Sequence, residues 1–296
     1  MKKKFLALVL TLAMVLSLVP VTALAAGDES TRVGTVQSDG NNGVKVIKSA
    51  PPKEDGNGEA TINMEAYVTG RVTTTTQSTP LDIVLVLDQS GSMEGSNLQG
   101  LKTAATKFIN TITEDANRHK VNHRIAVVGF ADSDYNTELF VGAKQYGYGR
   151  SADGKYKDAF QTVTDETGKS NLTQSIAHLD AWGGTHPELG MKMANNILKN
   201  NSSNESGTRQ RIVVMFTDGE PGDYEFDDAV ANATVAQAYE TKHTYGATVY
   251  TVGLIPNPGD NVEKFLNAVS SNYPDAQAYE GPYSYSPVYN VDTNSK

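Results

Sequence analysis

The segment Ile83–Met93 reads IVLVLDQSGSM. Five consecutive apolar residues, Ile83 to Leu87, run straight into Asp88. An unbroken apolar run of that length suits a strand covered on both faces, as in a parallel sheet. Open α/β sheets bind ligands outside the carboxyl ends of their strands. This strand end delivers one carboxylate, Asp88, and two hydroxyls, Ser90 and Ser92, at alternate positions. All three are hard oxygen donors, with no sulfur or imidazole among them. Such a set suits Mg²⁺ or Mn²⁺ better than zinc.

Asp, Ser and Gly also fill ordinary turns and helix N-caps, so the pentad alone does not separate a turn from a metal loop. Two further stretches weigh towards the metal. Trp182-Gly183-Gly184-Thr185 places a hydroxyl in a glycine-rich loop just ahead of a helix. Arg211–Phe216 (RIVVMF) is a second apolar strand, ending in Thr217-Asp218-Gly219-Glu220-Pro221. Each has a plainer alternative. Thr185 with Glu188 spells the capping box T-x-x-E before the helix that Pro187 opens, and Asp218 suits a turn before Gly219.

In this order and context, DQSGS, GGT and TDGEP resemble the von Willebrand factor A domain with its metal-ion-dependent adhesion site, over Pro80 to Asn290. The resemblance implies side-chain oxygens from Ser90, Ser92 and Thr185 on the metal, with Asp88 and Asp218 holding it directly or through water. It implies Mg²⁺, or alternatively Mn²⁺ or Ca²⁺, with one position left for an Asp or Glu carboxylate of a protein partner, such as a host matrix or surface protein. The expected function is a secreted cell-surface adhesion module of the bacterial pilus-adhesin type, binding rather than catalysing. The alternatives are a structural pilus or wall subunit whose metal only stabilises the fold, and, behind it, a metal-dependent hydrolase with Asp88 as nucleophile.

Upstream, Lys2, Lys3 and Lys4 precede an apolar stretch from Phe5 to Val19, followed by Ala23-Leu24-Ala25. This is the pattern of a secretory signal peptide covering residues 1–25, too short for a membrane span. Its removal takes the formal charge from −9 to −12, because three lysines and no acids leave with it. An acidic chain without a basic patch argues against nucleic acid and anionic membranes as partners. The chain has no cysteine, so no disulfide stabilises it outside the cell, which points to a bacterial exported protein. Residues 26–43 are polar and aperiodic, a disordered lead. Residues 44–79 form a β segment in which Ile62, Met64, Ala66 and Val68 alternate, and which suits a β-sandwich flanking the A domain or an extra edge strand on it.

Downstream of the metal loop, Leu98, Leu101, Ala105, Phe108, Ile109 and Ile112 recur at helical spacing, with Ser96 as N-cap. Arg124–Ala131 and Thr137–Gly142 are strands joined by a short turn, which makes the second of them antiparallel and sets it at the sheet's edge. That turn carries Asp132 and Asp134 to the end where Asp88 lies. Residues 143–171 read as a long polar loop with a Tyr/Gly cluster. Helices follow at 172–180, 187–200, 224–245 (burying Phe226, Val230, Ala233 and Tyr239) and around Val262–Val269, with a strand at 247–255. The resulting fold class is α/β: an open, mostly parallel, Rossmann-like sheet with helices on both faces and one antiparallel edge strand. Only a short strand, Ser286–Val291, is expected near the end. The domain from 80 to 296 therefore lacks the last helix usual in that family, as a fragment of a longer surface protein would.

Enzyme signatures are missing from the sequence. Asp88 and Ser92 stand where a serine hydrolase would carry the glycines of G-x-S-x-G. There is no H-E-x-x-H, P-loop or dinucleotide fingerprint. His186, beside Thr185, is the one candidate acid near the site, and it reads as an exposed first-turn residue.

Overall fold

The computed structural model describes residues 43–49, 63–69, 79–132, 136–201, 209–218, 220–254 and 259–281. The expected signal peptide, the lead through residue 42, Asp134 and the strand at 286–291 lie outside these residues. The described residues fall into two compact units, one within Pro20–Gln77 and one running from Thr79 onward. In the first, β1 (Gly43–Ser49) pairs antiparallel with β2 (Asn63–Thr69).

The second unit is a seven-stranded sheet with β3 (Leu81–Asp88) near its middle. β3 pairs in parallel with β4 (Arg124–Phe130) on one side and β8 (Gln210–Thr217) on the other, and β9 (Thr248–Gly253) extends the parallel part. All eight residues of β3 are buried. Its side chains alternate between two cores, as the period of two requires. Val84 and Val86 face one, and Ile83, Leu85 and Leu87 face the other.

Helix α1 (Ser96–His119) covers the second core with Leu101, Phe108 and Ile112, beside Leu172 and Ile176 of α2 (Glu166–Ala177). Helices α3 (Pro187–Asn200), α4 (Asp228–His243) and α5 (Asp260–Val269) cover the first. α3 approaches the sheet closely at Gly190, where an added Cβ would stand 2.8 Å from Val86 and 2.9 Å from Phe130. The fold class expected from the apolar strands is the one observed.

Four local readings need correction. The antiparallel strand exists as β5 (Glu138–Val141), but β6 (Lys144–Gly147) pairs outside it and takes the edge. Residues 143–171 are thus not one loop: they hold β6, a 3₁₀ turn at Tyr156–Asp158, the two-residue β7 (Gln161–Thr162) and the start of α2. Short polar elements of this kind carry too little periodicity to show in a sequence. Gly95, not Ser96, caps α1. α4 starts at Asp228, where the side chain of Asp227 accepts from the amides of Ala229 and Val230. It buries Ala231, Val235 and Ala238, while Ala233 is exposed.

The amino end of β3 is closed by charge. Asp82, 4% exposed, accepts from Arg124 at 2.9 and 2.7 Å and from Arg209 at 2.7 Å. Next to it the amide of Leu81 donates to Nδ1 of buried His123, whose Nε2 faces Asp115 at 3.0 Å. Replacing Asp82 by alanine would leave two guanidinium groups against that end of the sheet. Urea denaturation should show a loss of about 3 kcal/mol. A loss within the range of an exposed ion pair, under about 1 kcal/mol, would mean that Asp82 does not organise this end.

Candidate metal centre

At the carboxyl end of β3 the chain enters a 3₁₀ turn, Gly91–Met93, and then α1. The turn aims Ser90 and Ser92 away from the strand while Met93 anchors it in the core. Asp88, the last residue of the strand, is 0% exposed. One carboxylate oxygen accepts from the amide of Ser90 at 2.8 Å, and the other from the hydroxyl of Thr217 at 2.6 Å. Burial drives its carboxyl up from 3.8 to about 6, against the opposing effect of hydrogen bonds from Ser90 and Thr217.

Of the five residues singled out in the sequence, Asp88, Ser90, Ser92 and Asp218 are linked here by hydrogen bonds. Ser90 Oγ lies 3.0 Å from Ser92 Oγ, and Ser92 Oγ donates to Asp218 Oδ1 at 2.9 Å. Thr185 is buried at 6% exposure, and its backbone pairs with that of Gly222. Backbone hydrogen bonds fix the three loops together. The amide of Gly91 donates to the carbonyl of Gly183 at 2.9 Å, and that of Trp182 to Gln89 at 2.9 Å. Thr185 and Gly222 exchange both of theirs, at 2.9 and 2.8 Å. Gly183 makes the tight approach possible: its φ is +84°, and a Cβ there would press on Asp132, 2.8 Å away.

The donor set fits a hard divalent cation. Oxygens bound to Mg²⁺ at about 2.0–2.1 Å and at right angles stand about 2.9 Å apart. The Ser90–Ser92 and Ser92–Asp218 separations, 3.0 and 2.9 Å, have that size. The same spacing lets these groups hold one another by hydrogen bonds. Among the described residues no group of three or more His, Asp or Glu side chains is arranged as a metal-ligand set. The cluster here has two carboxylates, with hydroxyls completing it.

Sequence reasoning missed several supporting residues. Asn97 donates to Asp218 Oδ2 at 2.7 Å and so orients that carboxylate. It sits five residues beyond Ser92, where only the turn brings it round. Gln89 is 1% exposed and donates to the carbonyl of Asn136 at 2.8 Å, tying Asn136 to the site. Thr217 stood in the quoted strand end, but its bond to Asp88 crosses between strands and leaves no mark in a single sequence.

The capping box does not form. His186 is the N-cap of α3, with no side-chain cap bond, and its Nδ1 lies 2.9 Å from Glu188 instead. Its Nε2 lies 3.2 Å from Asp223. His186 is therefore a half-buried ion-pair centre, not an exposed first-turn residue. Glu188, with Asp223 adding to it, raises the imidazole to about 9 despite burial. It is protonated at neutral pH with both nitrogens engaged, which suits it poorly as a base.

An open α/β domain with clustered hydroxyls and carboxylates at its strand ends defines the class of protein. Residues 82–282 match the von Willebrand factor type A domain, and the chain belongs to that family. It is 28% identical over 170 residues to the uncharacterized protein sll0103 of Synechocystis, covering 56% of this chain and 32% of that one. It is 27% identical over 154 residues to the minor fimbrium subunit Mfa5 of Porphyromonas gingivalis, covering 51% and 10% respectively. Among solved structures it is similar to the pilus adhesin SpaC of Lactobacillus rhamnosus GG, with a TM-score of 0.47, 16% identity, and 84% and 33% of the two chains covered. The chain thus spans a third or less of the length of these curated relatives. No helix among the described residues is long and apolar enough to cross a membrane.

The raised carboxyl of Asp88 has a consequence for stability. Burial raises it from the ordinary 3.8 to about 6, so ionising it works against the fold. That cost is absent below about pH 4, grows as the pH rises through 6, and is full above that, at roughly 3 kcal/mol. In chelator, Asp88→Asn should match the parent chain near pH 4 and exceed its unfolding free energy by up to about 3 kcal/mol near pH 8. Equal stabilities near pH 8 would contradict the buried-charge description.

Proposed function

We propose that this chain is a secreted, cell-surface adhesion module that binds a protein partner through a divalent cation. Ser90, Ser92 and Thr185 would offer hydroxyl oxygens to the cation. Asp88 and Asp218 would hold it directly or through water. Bound Mg²⁺, or Mn²⁺ or Ca²⁺ in its place, would supply a Lewis-acidic point that accepts an Asp or Glu carboxylate from the partner. With two carboxylates against three neutral hydroxyls, the protein leaves much of the cation's charge available to an incoming anion.

The observation that carries this reading is a fully buried carboxylate next to a chain of oxygens spaced at 3.0 and 2.9 Å. Membership of the A-domain family and the likeness to a fimbrial subunit support it. Both ring nitrogens of His186 are engaged by Glu188 and Asp223, which supports binding over a role for that histidine in hydrolysis. On this reading residues 1–25 direct export. Residues 44–79 belong to a flanking β unit, in keeping with a family match that starts at residue 82.

Thermal unfolding with Mg²⁺, Mn²⁺ or chelator tests the proposal. A cation at about a hundred times its dissociation constant should add about 2.7 kcal/mol to stability. Asp88→Ala and the double change Ser90→Ala/Ser92→Ala should abolish that gain while the variants remain folded in chelator. Removing residues 26–78 should leave the gain unchanged. A parent chain that is indifferent to both metals, or variants that keep the full response, would overturn the assignment.

A further inference from the structure

Among the described residues two large hydrophobic side chains are exposed, Trp182 at 59% and Tyr224 at 102%. Both flank the metal centre. Trp182 precedes Gly183-Gly184-Thr185, and Tyr224 follows the Gly222 that bridges to Thr185. The bridge is antiparallel, so it sets residues 223 and 224 alongside 184 and 183. The carboxylate of Asp223 indeed lies against Gly184.

Neither aromatic hangs on a loose segment. The amide of Trp182 donates to Gln89, and its carbonyl accepts from Asn136 at 3.1 Å. The loop bearing Tyr224 is closed by the amide of Asp227 donating to Pro221 at 2.7 Å. Exposed aromatics on fixed backbone are suited to be anchors of an interface, since little freedom is lost when they are covered.

The charge of the same face is one-sided. The sequence stretches 88–97, 131–138, 182–188 and 218–228 contain no lysine or arginine. Glu94, Glu220, Asp223 and Glu225 are exposed, and Asp132 and Asp218 are half-buried. Both ring nitrogens of His186 are already engaged, by Glu188 and Asp223. A carboxylate heading for the cation must cross this acidic rim. Its approach is repelled unless the residues around it are positive.

We infer that the metal face takes a basic protein segment: a single Asp or Glu to reach the cation, flanked by Lys or Arg whose cationic side chains lie on Trp182 and Tyr224. The inference rests on the proposed metal site and adds the chemistry of the partner. A cation over an aromatic face is attracted by the ring's quadrupole, and the acidic rim steers it there. The exposed rings and the lack of basic residues thus select for the same kind of segment.

The test uses surface plasmon resonance with the chain and three immobilised synthetic peptides. The peptides share one central Glu and differ only in its neighbours, which are Arg, Ser or Asp. In Mg²⁺ at low salt the Arg-flanked peptide should bind about tenfold tighter than the Ser-flanked one, and the Asp-flanked one least. The ratio should shrink as salt rises. Trp182→Ala and Tyr224→Ala should each weaken the Arg-flanked peptide by about threefold or more. The thermal response of both variants to Mg²⁺ should remain.

Equal binding of the Arg- and Ser-flanked peptides would overturn the inference. So would indifference to both aromatic substitutions, or no peptide binding by a chain that still responds to Mg²⁺. A chain with no thermal response to Mg²⁺ would instead overturn the metal reading itself, and the inference with it.

Discussion

The carboxylate of Asp88, buried at the end of the central strand, is the constraint around which the candidate metal site is built. A charge placed there loses its water, and only hydrogen bonds or an opposite charge can compensate. The amide of Ser90 and the hydroxyl of Thr217 compensate in part. Both come from neighbouring backbone: Ser90 from the turn that leaves β3, and Thr217 from the end of β8. Satisfying Asp88 therefore sets the start of one loop and the end of the adjacent strand. The hydrogen bonds from Gly91 to Gly183 and between Thr185 and Gly222 extend the same register to the remaining loops.

β3 carries a second buried aspartate at its other end, and the contrast between the two is informative. Asp82 is met by two guanidinium groups, so its charge is matched within the protein. Asp88 is met by a hydroxyl and an amide, and the charge of Asp218 acts on it with like sign. Burial alone would treat both ends alike. What distinguishes them is that Asp82 is matched by two guanidinium groups, while Asp88 is held by hydrogen bonds and its carboxyl is raised by burial. Stability is given up at one end of a strand whose other end is fully paired, as is expected of a functional site.

Much of this was legible in the sequence, for physical reasons that differ from residue to residue. The run Ile83–Leu87 reads as a doubly covered strand because every side chain, on either face, must be apolar. DQSGS, GGT and TDGEP read as one site because strand order in such sheets brings their ends together. Asp218 meets Ser92 through a hydrogen bond, and the backbone of Thr185 pairs with Gly222 close by in the chain. Short polar elements were not legible: β6 and β7 hold their places by pairing, and pairing is not written in local periodicity. The buried face of α4 was misjudged at Ala233 because alanine is apolar enough to suit either side of a helix. Asn97, Gln89 and the ion-paired His186 act through contacts between loops distant in sequence, which no local pattern records.

The most direct test of the metal centre is a crystal structure of the chain soaked with Mn²⁺, read at the manganese absorption edge. The expected result is one anomalous peak within bonding distance of Ser90 Oγ, Ser92 Oγ and Thr185 Oγ1, with Asp88 and Asp218 bound directly or through water. A peak at other side chains, or a site empty of manganese while its loops keep their present arrangement, would contradict the assignment of this cluster as a cation site.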